Sequence, residues 1–181
     1  MPNVGSHDSL KMKSWQTWFT DLGLPRWAPL PVRLVIGYGF LDHGLAKLEK
    51  GPEKFVAIVD ALGVPMPQLM AWLAIWVEIL GGIAMMLGAF VALISLPMAI
   101  VLLVALFTVH IEFGFTSIKL MAVTAEGPKF GPPGIEADML YLAGLATILL
   151  GGPGPLAFDS WVQSKRRRLR SRAAVSDTTK L

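Results

Sequence analysis

Residues 67–112 read PQLMAWLAIWVEILGGIAMMLGAFVALISLPMAIVLLVALFTVHIE, and this stretch decides the fold. From Ile79 to Val109 it carries no charged side chain, a run of over thirty residues. A helix rises ~1.5 Å per residue and a hydrocarbon core is ~30 Å thick, so ~20 apolar residues cross it. One unbroken helix of this length would overshoot the bilayer. The stretch therefore divides at Gly88-Ala89 into two spans, 67–89 and 91–112, joined by a tight turn as an antiparallel hairpin. Pro97 is expected to kink the second, which a membrane helix tolerates where neighbours satisfy the freed carbonyl.

Two further apolar segments flank the hairpin: 29–48, PLPVRLVIGYGFLDHGLAKL, and 136–152, EADMLYLAGLATILLGG. The expected fold is an all-α membrane protein, a four-transmembrane-helix bundle with a short outer-loop helix and polar tails. Residues 1–27 form a polar N-terminal segment without a signal-peptide pattern. Within it Leu10, Trp15, Trp18, Phe19 and Leu22 are spaced for a surface-lying amphipathic helix. Residues 28–160 form the membrane domain, and 161–181 a basic tail. Between the first two spans, Glu53 to Leu62 reads as a short amphipathic helix capped by Gly63 and stopped by Pro65 and Pro67. The loop 113–135, with Gly127-Pro128 and Gly131-Pro132-Pro133-Gly134, is expected to be irregular and to fold over the bundle.

Composition agrees. Of 181 residues, 54% are hydrophobic and 16% charged, where soluble domains run near ~25% charged. The mean hydropathy of +0.57 points to lipid as solvent. The chain is too short for a large catalytic barrel or a two-domain dehydrogenase. The absence of cysteine excludes disulfides, thiolate-held iron–sulfur clusters and thiol nucleophiles from this chain. The net charge of +3 owes much to the run Lys165-Arg166-Arg167-Arg168-Leu169-Arg170-Ser171-Arg172. Beside a membrane segment such a run marks the cytoplasmic side, and no nucleic-acid motif accompanies it. The two tails hold ten Lys and Arg against five in the loops after spans one and three. The expectation is a multi-pass protein of the cell inner (plasma) membrane with both termini cytoplasmic.

Ionisable side chains inside the spans are costly, and each requires a reason. The first span carries Arg33, Asp42, His43 and Lys47, the second Glu78, the third His110 and Glu112, the fourth Glu136 and Asp138. Arg33 lies near the cytoplasmic face and is expected to snorkel; Lys47 and Asp42 are placed to pair with each other or with headgroups. His43 and Lys47 stand four apart on one face. Glu78 shares its face with Ala71, Ala74 and Gly82, which permit close helix approach or leave a cavity. These positions suggest one polar pocket opening outward. Glu78, His43 and His110 are the candidate catalytic residues, and His43, Lys47, Glu78 and Glu136 the candidate cofactor-binding set. Each also has a structural reading as a hydrogen-bonded helix contact. Trp72, Trp76 and Tyr141 read as interfacial anchors or packing. A bis-His haem on His43 and His110 is disfavoured by a depth difference of about 8 Å. No ligand spacing marks a metal site.

The motifs have an order: Arg33-(x)9-His43-Gly44-(x)2-Lys47, then Leu62-Gly63-Val64-Pro65, then Glu78-Ile79-Leu80-Gly81-Gly82. His110 with Gly114-Phe115, Glu136 before Tyr141-Leu142, and Gly151-Gly152-Pro153-Gly154 leading to Asp159 complete it. Over roughly 29–160 this pattern resembles the DoxX family of small four-helix bacterial membrane proteins. The resemblance implies a redox association, since the family takes its name from similarity to the membrane subunit of an archaeal thiosulfate:quinone oxidoreductase. The chain departs from the usual ending, where Ser often precedes Leu-Asp; here it reads Leu156-Ala157-Phe158-Asp159.

Three functions follow as expectations. The first is a quinone-interacting subunit of a membrane oxidoreductase, with His43 and Lys47 as donors to the quinone and Glu78 as proton relay. The second is a non-catalytic anchor or assembly factor for a partner redox enzyme. The third is a small proton-coupled transporter, for which four spans would require a homodimer. The expected partners are the lipid bilayer, a partner oxidoreductase subunit and a second copy of the chain, with no nucleic acid.

Overall fold

A computed structural model describes residues 20–178, with side chains as far as Leu169; most of the amphipathic N-terminal segment thus lies outside the described residues. The chain is mainly helical: α1 (Pro29–Glu49), α2 (Pro52–Ala61), α3 (Pro67–Leu87), α4 (Val91–Ala105), α5 (Glu136–Gly151) and α6 (Phe158–Thr178). A single 3-10 turn, Leu24–Trp27, leads into α1, and α4 runs on through a π-turn, Leu106–His110, and a 3-10 turn, Ile111–Phe113. Prolines open α1, α2 and α3 at their first turns, where a missing N–H costs nothing and φ is already set for helix. The chain stays helical through Pro97.

The hairpin turn between α3 and α4 is as tight as the sequence suggests. Gly88 is left-handed (φ +65°), its N–H donating to Met85 O while Ala89 N–H reaches Ala84 O. This pair of bonds closes a helix C-terminus with a glycine just past it. Gly63 ends α2 in the same way, as expected for the outer-loop helix. The loop 113–135 differs from expectation. Leu120–Thr124 and Gly127–Phe130 form an antiparallel two-stranded ribbon, β1 and β2, whose residues are nearly all exposed rather than packed as an irregular lid. Val123 and Thr124 favour extended backbone, and Gly127 at φ +120° takes a geometry closed to side-chain-bearing residues, so the Gly/Pro content hid a hairpin. At its turn, a side-chain hydrogen bond from Thr124 and one from its own backbone hold the Glu126 carboxyl below the usual carboxylate range. The basic tail is helical over Phe158–Thr178.

The four long segments close a ring. Helix α1 packs on α3, α3 on α4, α4 on α5, and α5 back on α1, with α2 against α3. Inside lie Ile36, Phe40, Met85, Val91, Met98, Leu145 and Ile148. Helices α1 and α3 approach most closely through glycine: a Cβ on Gly37 would fall 2.7 Å from Gly82 O, and one on Gly44 3.1 Å from Glu78 Cβ. The Glu78 face of small residues therefore serves close approach.

The outside is apolar. Leu93, Leu96 and Ile100 on α4, Phe107 in the π-turn that follows it, and Leu69, Leu73, Leu80 and Leu87 on α3 are all exposed. Pro67–Leu87 and Val91–Phe113 are long and apolar enough to cross a membrane, and only 22% of the second is buried within the fold. A core helix of a soluble protein would be mostly covered, so these surfaces belong in lipid. Of the four segments predicted to span, α1 is as long but carries charges, and α5, at 16 residues, reaches about 24 Å.

Candidate functional site

Lys47, near the end of α1, donates from Nζ to both carboxylate oxygens of Glu78 on α3. Glu78 is 5% exposed. Helix α2 covers the pair, with the Phe55 ring centroid 4.6 Å from Lys47 Nζ. Lys47 thus pairs with Glu78 rather than with Asp42 or headgroups. The two charges cancel, which lowers the cost of holding them among apolar helices, and the aromatic face adds attraction for the ammonium.

His110 does not join that pair. Its Nδ1 lies 2.5 Å from Asp138 Oδ2, on the opposite edge of the ring, between α4 and α5. The π-turn Leu106–His110 carries the histidine there, and such insertions recur at functional sites. Asp138 is buried, and its role as the partner of His110 was not legible from spacing alone. Glu136, two residues earlier, accepts the Ser117 N–H at 2.9 Å and tethers the loop to the start of α5. The single polar pocket expected from the sequence is therefore two separate pairs, one on each side of the ring.

His43 stands apart from both. It is exposed, and with Leu34, Val35, Tyr38, Gly39 and Asp42 of α1 and Tyr141 of α5 it lines an open groove of about 470 Å3. Gly39 makes this groove possible, since a Cβ there would fall 1.9 Å from Tyr141 Oη. Tyr141 also packs edge-on against Phe40, centroids 5.9 Å apart, which holds the ring across α1. The groove's lower wall, Leu34, Val35 and Tyr38, is exposed; towards its upper end lie the Asp42 carboxylate and the His43 imidazole, with the Tyr141 phenol against Gly39. A larger groove of about 700 Å3 between α2 and α3 is lined by Glu53, Asp60, Met66 and Trp72 and contains none of the sequence candidates. Among the described residues no group of three or more His, Asp or Glu is arranged to hold a metal.

A third polar cluster lies at the other end of the bundle. Arg33 does not snorkel: it is 1% exposed, donating from Nη1 to Pro153 O and from Nη2 to Leu156 O at 3.2 Å. Asp159 accepts the Phe90 and Val91 N–H groups, each at 2.9 Å, while its own N–H donates to Gly88 O at 3.0 Å. This carboxylate from α6 caps the first turn of α4 across 69 residues of sequence. Arg33 thus fastens α1 to the segment between α5 and α6, and Asp159 fastens the start of α6 to the α3–α4 hairpin.

No curated protein and no solved structure matches the chain. A family model does: residues 28–111, which take in α1 to α4 with Arg33, His43, Lys47, Glu78 and His110, match DoxX. This match and the apolar outer faces of α3 and α4 make the chain a membrane protein, and its residues 28–111 are a DoxX-family segment.

Proposed function

We propose that α1, α3, α4 and α5 all cross the membrane and that the α1/α5 groove receives the head of a membrane quinone. The chain is then a quinone-interacting subunit of a membrane oxidoreductase system. The observation that carries this reading is the groove itself. Its lower wall of Leu34, Val35 and Tyr38 suits an isoprenoid tail, and its upper end gathers Asp42, His43 and Tyr141. Reduction of a quinone to a quinol takes up two electrons and two protons at its two oxygens. His43 and Tyr141 supply hydrogen-bond donors to a carbonyl oxygen, and Asp42 passes protons from the aqueous side. Lys47, one turn above His43 on α1, holds Glu78 in a separate pair outside the groove, which leaves Asp42 as the proton-passing carboxylate of the site. The electrons come from a bound cofactor or a partner subunit, since the chain has no cysteine and no flavin or nucleotide motif. The excess of Lys and Arg in both tails supports cytoplasmic termini and an inner (plasma) membrane location.

One observation favours the second reading, an anchor or assembly factor for a partner enzyme. Ile118, Leu120, Met121, Val123 and Phe130 are exposed together around the β-ribbon, outside the apolar bundle. A patch of that kind commonly marks a protein contact. Titrating the purified protein with a ubiquinone or menaquinone analogue, read by tryptophan fluorescence, separates the two. Saturable binding weakened about tenfold in His43→Ala and Asp42→Asn supports the quinone site. A flat titration of the folded wild type overturns it and leaves the anchor reading.

A further inference from the structure

We propose that α6 lies on the membrane surface and binds anionic lipid headgroups. Its starting point is fixed. The α3–α4 turn at Gly88–Phe90 joins the two membrane-crossing helices and so marks one boundary of the bilayer. Asp159, in the first turn of α6, accepts two backbone N–H groups of that turn and returns one hydrogen bond to it. The helix therefore begins at headgroup level, and no other helix packs along it among the described residues.

At 100° per residue, Phe158, Trp161, Val162 and Leu169 fall on one stripe of α6, with Lys165 at its centre. Phe158, Trp161 and Leu169 are exposed. At the near end the stripe continues into Phe90, whose ring centroid is 6.4 Å from that of Phe158, and Phe158 is 5.9 Å from Trp161. Aromatic rings at a helix end beside a spanning hairpin form an interfacial belt. Lys165 Nζ sits 5.4 Å from the Trp161 ring, its stem along the apolar stripe and its charge at the rim. Arg166 and Arg168 fall on the two borders of the stripe, about 80° to either side, and Arg167 opposite it. An apolar stripe edged by cations on both sides is the arrangement of a helix half-sunk in an interface, and its charge complements phosphate-bearing anionic lipid. A soluble acidic partner would need the cations but not the exposed aromatic row. This proposal rests on α3 and α4 crossing the membrane and is independent of the quinone site.

The cysteine-free sequence allows a direct test on the full chain. Spin labels are placed at Val162→Cys on the stripe and Ser164→Cys on the opposite face, in nanodiscs of phosphatidylcholine alone or with phosphatidylglycerol at 7:3. Collision rates with oxygen and with a water-soluble nickel chelate are then compared. The expected result is an oxygen-to-nickel ratio at 162 that rises several-fold with phosphatidylglycerol, while 164 stays water-accessible in both lipids. High salt or the triple variant Lys165→Gln/Arg166→Gln/Arg168→Gln should remove that dependence. Equal accessibility at 162 in the two lipids, or equal values at 162 and 164, would overturn the proposal. The helical content of the bundle is checked by circular dichroism of the same samples, so unfolding is not mistaken for release of α6.

Discussion

Glu78 is the residue whose surroundings change most between one-dimensional and three-dimensional description. In sequence it is a lone acid in an apolar run; in the fold Lys47 neutralises it and Phe55 covers Lys47. Removing one partner leaves an uncompensated charge in the bundle, which typically costs about 3 kcal/mol or more, whereas removing both charges costs far less. Lys47→Met alone and Glu78→Met alone should therefore each destabilise by about 3 kcal/mol, and the double variant should recover most of it. Chemical unfolding in detergent, followed by circular dichroism, measures the cycle. Additive losses would mean that the charges act independently. The pairing could not be read in advance because Lys47 and Glu78 are 31 residues apart and sit on different helices. His43 and Lys47, by contrast, were recognisable as a same-face pair because i and i+4 spacing is local. Tyr141 escaped notice as a groove residue because its reach across α1 depends on Gly39, on another helix.

At the scale of elements, the helix ends were legible wherever proline or glycine punctuates the chain. The spans expected at 29–48, 67–89, 91–112 and 136–152 correspond to helical segments Pro29–Glu49, Pro67–Leu87, Val91–Phe113 and Glu136–Gly151. The β-ribbon was hidden because the same residues that mark loops also build tight hairpins. Helix α6 was hidden because its basic run swamps the sparse apolar stripe. The cap of α4 was hidden too, since its acceptor lies on α6. Asp159→Ala removes two backbone hydrogen bonds to a carboxylate and should cost about 2 kcal/mol, with faster hydrogen exchange at Phe90 to Leu93. Unchanged exchange at those amides would contradict the capping role. Gly88→Ala should cost at least as much: its φ of +65° strains any side chain, and the new Cβ would fall 2.5 Å from Arg33 Nη1.

At the scale of the whole molecule, the ring α1–α3–α4–α5 separates its polar groups by location. Lys47–Glu78 and His110–Asp138 sit in the half of the bundle that carries α2 and the β-ribbon, and Arg33 with Asp159 in the half that carries α6. The proposed four crossings would put the β-ribbon on one side of the membrane and α6 on the other. Single cysteines in the cysteine-free chain report this directly. A Glu126→Cys variant should react with an impermeant maleimide in intact cells, and Ser164→Cys only after the membrane is opened. Reaction of both in intact cells would contradict the four-span topology. The low charged fraction of the sequence already foretold lipid, but only the fold shows that most charges inside the spans are engaged while Asp42 and His43 face an open groove. That groove is the centre of the functional reading. Photoaffinity labelling with an azido-quinone in native-like nanodiscs tests it most directly. Labelling competed by excess quinone and confined to the peptides bearing Leu34–His43 and Tyr141 is the result expected; competed labelling only elsewhere, such as along the α2/α3 groove, would contradict it.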